Sequence, residues 1–163
     1  ELIPINFPDS GVYQFNIMDV VIGAEAGAQF DEMTRSGLDD ALTRQTKNDW
    51  PNSFRTSRFV PAVEYINAQR HRYLLMQKVN AVVSQFDAII CPSRGGGNQS
   101  AITNLTGHPV VCVPNGFDSK TKLPTGISFV GKLYDEGTIL RVAKFYQDLT
   151  NYDEAHPKQF MLD

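Results

Sequence analysis

An α/β fold class follows from three features of this 163-residue chain. Short apolar runs bounded by Pro and Gly alternate with longer segments whose apolar residues recur every three or four positions. Two of the runs, Ala88-Ile89-Ile90-Cys91 and Val110-Val111-Cys112-Val113, are apolar enough to want cover on both faces. The helical segments do not supply all of that cover. The sheet is therefore expected to continue in sequence outside this chain.

Each element has its own signal. Leu2 to Phe7 reads as a short strand closed by Pro8-Asp9-Ser10-Gly11. A helix is predicted from about Val12 to Ser36, since Ile17, Val20, Val21, Ala24, Ala28 and Met33 share a face and Gly37 suits a C-cap. Leu38 to Gln45 adds a further helical turn or two. Lys47 to Phe59, around Trp50-Pro51-Asn52, reads as irregular. Pro61 fits the first position of a long helix running to about Gln85, with Leu75, Val79, Val82, Val83 and Phe86 as its apolar stripe. Residues 88–91 form a strand stopped by Pro92, and Ser93 to Ser100 is a glycine-rich loop. Ile102 to Thr106 makes a helical turn. Strands follow at about 110–114 and 125–131, joined by a long hairpin connection. Asp135 caps a last helix ending near Thr150, and the tail from Asn151 is polar and belongs on the surface.

Composition narrows the classes. The apolar fraction of 42% is ordinary for a globular protein, and a formal charge of −3 offers no basic face for nucleic acid. No apolar run approaches the roughly 20 residues of a membrane span. Cys91 and Cys112 each sit in a predicted buried strand, where they read as unpaired apolar fillers of a reducing, cytoplasmic compartment. The chain opens at Glu1 directly into an extended apolar segment, which reads as a cut through a longer protein.

The loop Pro92-Ser93-Arg94-Gly95-Gly96-Gly97-Asn98-Gln99-Ser100 is the best site candidate. It follows the carboxyl end of a strand, where open α/β sheets place ligands. Its glycines let backbone approach a ligand closely. It is no P-loop, because no Gly-Lys-Ser/Thr follows, and the serines lack a Gly-x-Ser-x-Gly elbow. His108, before Pro109 and a strand, reads as a histidine hydrogen-bonded to backbone. A Cys112–His108 dyad is disfavoured, since four residues along an extended chain separate the side chains at about 3.3 Å per residue. The three histidines and two cysteines share no metal-ligand spacing, so neither metal nor cofactor is expected.

Thr103-Asn104-Leu105-Thr106-Gly107-His108-Pro109 with Val113-Pro114-Asn115-Gly116, then Leu123-Pro124-Thr125-Gly126-Ile127-Ser128-Phe129-Val130-Gly131, resembles the C-terminal part of the amidase signature family. Glu25-Ala26-Gly27-Ala28-Gln29, Trp50-Pro51-Asn52-Ser53-Phe54-Arg55 and Asp87-Ala88-Ile89-Ile90-Cys91-Pro92-Ser93 support the likeness. The resemblance implies a mixed β-sheet flanked by helices, with residues 1–163 the C-terminal part of a single amidase-like domain. It implies amide C–N hydrolysis by a Ser–cis-Ser–Lys triad lying outside this chain, so no catalytic residue carries over. What carries over is a substrate-pocket wall: Ser93, Gly95, Gly96, Gly97, Asn98, Ser100, Ile102 and Thr103. Glutamine amidotransferases of the A type hold an acidic residue near the place of Gly97 and Asn98, and this chain has no carboxylate there.

Three readings follow. The chain is a segment of an amide hydrolase acting on a small-molecule amide; part of a glutamine amidotransferase A-type subunit is a variant of that reading. Alternatively it is a non-catalytic amidase-like binding module. An autonomous hydrolase using Ser93, Ser100 or Cys91 is the third. The expected partner is the remainder of the domain, or a second copy through an exposed sheet, and neither nucleic acid nor membrane.

Overall fold

The computed structural model describes residues 2–9, 14–94 and 98–155. The chain folds as two compact units, Pro8–Leu75, and Glu1–Phe7 together with Met76–Asp163. The class is mixed α/β, as the alternation of runs implies.

The first unit is helical. Helix α1 spans Ile17–Gln29 and α2 spans Asp31–Arg35. The single long helix expected from residue 12 is thus divided at Phe30, whose φ and ψ of −103° and 22° leave the helical well. Residues 12 and 13 lie outside the described residues. Gly37 adopts φ 76° and lets the chain turn out of α2 into a 3-10 turn at Leu38–Ala41. The stretch expected to be irregular holds helix α3, Trp50–Ser57. Pro51 there begins a helix, because a first-turn proline lacks only an N–H that would have no helical partner anyway.

Phe54 of α3 is buried and meets Phe30 at 4.8 Å and Trp50 at 5.5 Å between ring centroids. Asp39 is buried too, and its charge is answered by the Arg55 guanidinium at 2.5 Å. Arg55 also reaches Asp40 at 2.6 Å. The first part of the long helix α4, Ala62–Val83, completes this unit.

Helix α4 runs on into the second unit and carries the predicted stripe. Leu75, Val79 and Val83, spaced four apart, are all buried. Strand β1 is Ile89–Pro92, helix α5 is Gln99–Thr106, β2 is Val110–Phe117 and β3 is Pro124–Val130. Helix α6 is Glu136–Thr150. The sheet order is β1-β3-β2, with both outer strands antiparallel to the central β3. Pro92 ends β1 from within, which an edge strand tolerates.

Residues 2–9 carry no regular structure, contrary to the strand expected at Leu2 to Phe7. Pro4 removes a ladder donor from the middle of the run. Leu2, Ile3, Pro4 and Ile5 instead line a cavity with Phe86 and Ala88 to Ile90.

Register assigns the faces of the sheet. Phe129 pairs with Ile90 on one side and Val111 on the other. On that face Phe129 packs with Val113, Ile139 and Ala143, so α6 covers it. Ser128 pairs with both Cys91 and Cys112, which puts these three side chains in one row on the opposite face. The row is polar and lies partly open. Cys112 is exposed and Cys91 half-buried, so neither is the buried filler expected.

Candidate functional site

Ser128 and Cys112 of this row form the floor of a cavity of about 390 Å³, with α5 as its wall. Ser93 enters from just past β1, held by its N–H donating to the Gly126 carbonyl at 3.0 Å. Its hydroxyl lies 2.8 Å from Cys112 Sγ and 2.8 Å from Ser128 Oγ. Gly126 permits this convergence: a Cβ there would stand 3.1 Å from both Cys112 Sγ and Ser93 Oγ.

Helix α5 is set by its two ends. Asn98 at the N-cap adopts φ 52°, and Gly107 at the C-cap adopts φ 77°. Between them Gln99, Ser100, Thr103 and Asn104 turn to the cavity. The Thr103 hydroxyl is within reach of the Gln99 carbonyl at 3.1 Å and accepts from Gln99 Nε2 at 3.3 Å. Asn104 Nδ2 donates to the Ser100 carbonyl at 2.7 Å.

His108 closes the cavity from the connection between α5 and β2. Its Nδ1 is 2.8 Å from Thr106 Oγ1, and Thr106 donates its proton to the Ile102 carbonyl at 2.9 Å. The histidine is therefore held by a side chain, not by backbone as its place before Pro109 suggested. Burial lowers its pKa below the ordinary value, so the ring is neutral at physiological pH. Its other nitrogen, Nε2, has no hydrogen-bond partner.

The expected site residues divide as follows. Ser93, Ser100 and Thr103 meet at the cavity. Asn98 sits exposed at the head of α5. Ile102 is fully buried and lies in the core instead of at the cavity surface, because α5 turns its other face outward. Gly95, Gly96 and Gly97 lie outside the described residues. Sequence reasoning gave no site role to Asn104 or Ser128 and read His108 and Cys112 as structural, while Gln99 lies in the loop it singled out. Cys112 and His108, expected to lie too far apart along the chain to form a dyad, do line one cavity. No hydrogen bond joins them, since His108 Nδ1 is bonded to Thr106 and Nε2 is unpartnered.

The arrangement can bind a polar group through hydroxyls and amides. None of the cavity's serines or its cysteine is hydrogen-bonded to the histidine, so a nucleophile with its base is not assembled here. Among the described residues there is no cluster of three or more His, Cys, Asp and Glu able to hold a metal. A larger cavity of about 660 Å³ lies in the helical unit. Its charged groups are already engaged: Arg58 with Asp31, and Glu25 with the Tyr65 hydroxyl at 3.1 Å.

The thiols give a direct check. Cys91 and Cys112 flank β3, about 9.6 Å apart at two strand spacings, beyond the reach of a disulfide. Denatured protein should titrate two free thiols. In the native state Cys112 should react first. Cys91, half-buried and with its pKa raised by burial and then by Cys112, should lag about tenfold or more. Equal rates would contradict the placement of the two side chains.

No family model matches the chain. It is 33% identical over 111 residues to the A subunit of glutamyl-tRNA(Gln) amidotransferase from Halalkalibacterium halodurans, covering 57% of this chain and 22% of that protein. The same subunit from Brevibacillus brevis is 32% identical over 112 residues, covering 58% and 23%. The chain thus matches less than a quarter of the length of these curated relatives. Among solved structures, the peptide amidase of Stenotrophomonas maltophilia superposes with a TM-score of 0.67 at 17% identity, covering 91% of this chain and 36% of that one. The A subunit of glutamyl-tRNA(Gln) amidotransferase from Thermotoga maritima gives 0.58 at 21% identity, covering 86% and 34%. No described helix is long and apolar enough to cross a membrane. In its sequence similarity to amidotransferase A subunits and in its fold, the chain resembles the amidase signature family.

Proposed function

We propose that this chain forms one wall of the substrate cavity of an amide C–N hydrolase. Its nucleophile and base belong to another part of the same amidase-like domain. One observation carries the reading. Ser93, Ser100 and Thr103 converge on a polar cavity at the carboxyl end of β1, where neither their hydroxyls nor the Cys112 thiol is hydrogen-bonded to a base. Amide hydrolysis needs an activated nucleophile and donors for the oxyanion. The cavity supplies polar contacts and leaves activation to the Ser–cis-Ser–Lys triad that the family resemblance implies. This chain contributes no catalytic residue. The substrate is a small-molecule amide, the setting is cytoplasmic, and the partner is the remainder of the domain. Ile90 on one face of the sheet and Val110 on the other are exposed and suit cover by that remainder or by a second copy.

A second reading, part of an amidotransferase A-type subunit, is favoured by the curated relatives, which carry that name. The absence of a carboxylate at Gly97 or Asn98 weighs against glutamine as the amide.

The chain alone should give only background with a panel of primary and aryl amides. Expressed joined to the coding sequence that precedes it in its gene, it should turn amides over. There Thr103→Val should raise KM about tenfold, the loss of one polar contact, with little change in kcat. Turnover by the chain alone that disappears with Ser93→Ala or Ser100→Ala would overturn the proposal.

A further inference from the structure

His108 contains a polar atom that nothing in the protein satisfies. The residue is only 3% exposed, and its Nε2 is shielded from solvent and unpartnered. Thr106 has one hydroxyl proton and gives it to Ile102, so the ring must donate from Nδ1 to Thr106 Oγ1. Nε2 is therefore an acceptor with a free lone pair. A buried acceptor without a donor is destabilising, and such groups are uncommon in folded proteins. The ring lines the cavity between α5 and the sheet. Its Nδ1 is held by Thr106, which does not line that cavity, so Nδ1 is not the nitrogen left for a ligand.

We propose that His108 is a specificity residue of this cavity, its Nε2 accepting an N–H of a neutral primary carboxamide. The ligand class follows from the lining. An acceptor requires the ligand to bring a donor. The other groups are the hydroxyls of Ser93, Thr103 and Ser128 and the amides of Gln99 and Asn104. No carboxylate, ammonium or guanidinium among the described residues faces the cavity, so a charged ligand would lose water and gain no counter-charge. A carboxamide offers two N–H donors and a carbonyl acceptor to a wall holding both kinds of partner. Entry to Nε2 needs a small displacement of the lining, where Ser100 and Asn104 are exposed. This inference deepens the pocket-wall reading and rests on it.

The test uses the 163-residue chain with benzamide and N,N-dimethylbenzamide as probes. The imidazole 15N resonances of His108 are followed by NMR. Benzamide should shift the Nε2 resonance saturably. The dimethyl analogue keeps the ring and carbonyl but has no N–H, and it should bind about tenfold more weakly, the loss of one hydrogen bond. His108→Phe keeps an aromatic ring and should remove the discrimination between the probes. Equal affinities in the unsubstituted chain would overturn the proposal, and so would benzamide binding that leaves Nε2 unmoved. Failure of benzamide to bind at all would also overturn it. None of these results touches amide turnover by the joined protein, whose loss would mark failure of the wider reading instead.

Discussion

Phe129→Ala is expected to cost the sheet unit about 3–5 kcal/mol, the usual range for a buried Phe truncated to Ala. Phe129 is 2% exposed and sits on the central strand. Its ring joins Val113 of β2 to Ile139 and Ala143 of α6. Tyr146 meets it edge-on at 5.9 Å between centroids, a geometry worth about 0.5–1.5 kcal/mol beyond burial. Nothing nearby can collapse cheaply into the gap, because the sheet registers Phe129 between Ile90 and Val111. Against a typical total stability of about 5–15 kcal/mol, the loss is enough to leave much of the unit open. Hydrogen exchange at β2, β3 and α6, with urea unfolding, measures it. Phe145→Ala, on the exposed side of α6, should stay within about 0.5 kcal/mol. A Phe129→Ala cost near that of Phe145→Ala would show that the core is not centred on this ring.

What could be read from sequence depended on how local its cause was. The stripe of Leu75, Val79 and Val83 is a property of one helix, and the periodicity alone located it. Gly37 likewise announced a turn that its backbone freedom allows. Helix α3 escaped because Pro51 serves equally as a breaker and as a first-turn residue. The polar residues on either side did not decide between the two. Leu2 to Phe7 looked like a strand because apolar content is a tertiary signal read locally, and no ladder partner pairs with it among the described residues.

The site follows the same division. Ser93 and Ser100 lie on the loop after β1, so position after a strand found them, while Thr103 came from the family resemblance. Cys112 and Ser128 come from strands joined to that loop only through register. Alternation tells which residues of a strand share a face, and register tells which strands' residues meet. That Cys91, Ser128 and Cys112 form one row cannot be read from any of the three strands taken singly. His108 was visible as a histidine but not as an unpartnered one. Its state depends on Thr106, whose hydroxyl is committed to the turn before it.

Gly27→Ala should destabilise the helical unit, although a glycine inside a helix is ordinarily improved by alanine. The intrinsic gain is about 1 kcal/mol. Here α1 runs against α3 at this residue, and an added Cβ would collide with Ser57 Oγ and sit 2.9 Å from Ser57 Cβ. The hydroxyl is tied to the Phe54 carbonyl at 2.8 Å, and turning it away would still leave the Cβ too close. The helices must therefore part, at an overpacking cost of about 1–3 kcal/mol that outweighs the helix gain. The parting also loosens the buried contacts of Phe54. Ser57→Gly in the same chain removes both offending atoms. The double variant should recover most of the loss, with a coupling of about 1–2 kcal/mol between two sites in contact. Urea unfolding followed through Trp50, the chain's one tryptophan, reads all four corners of the cycle. Additive effects of the two substitutions would mean that α1 and α3 are not in contact at Gly27 and Ser57.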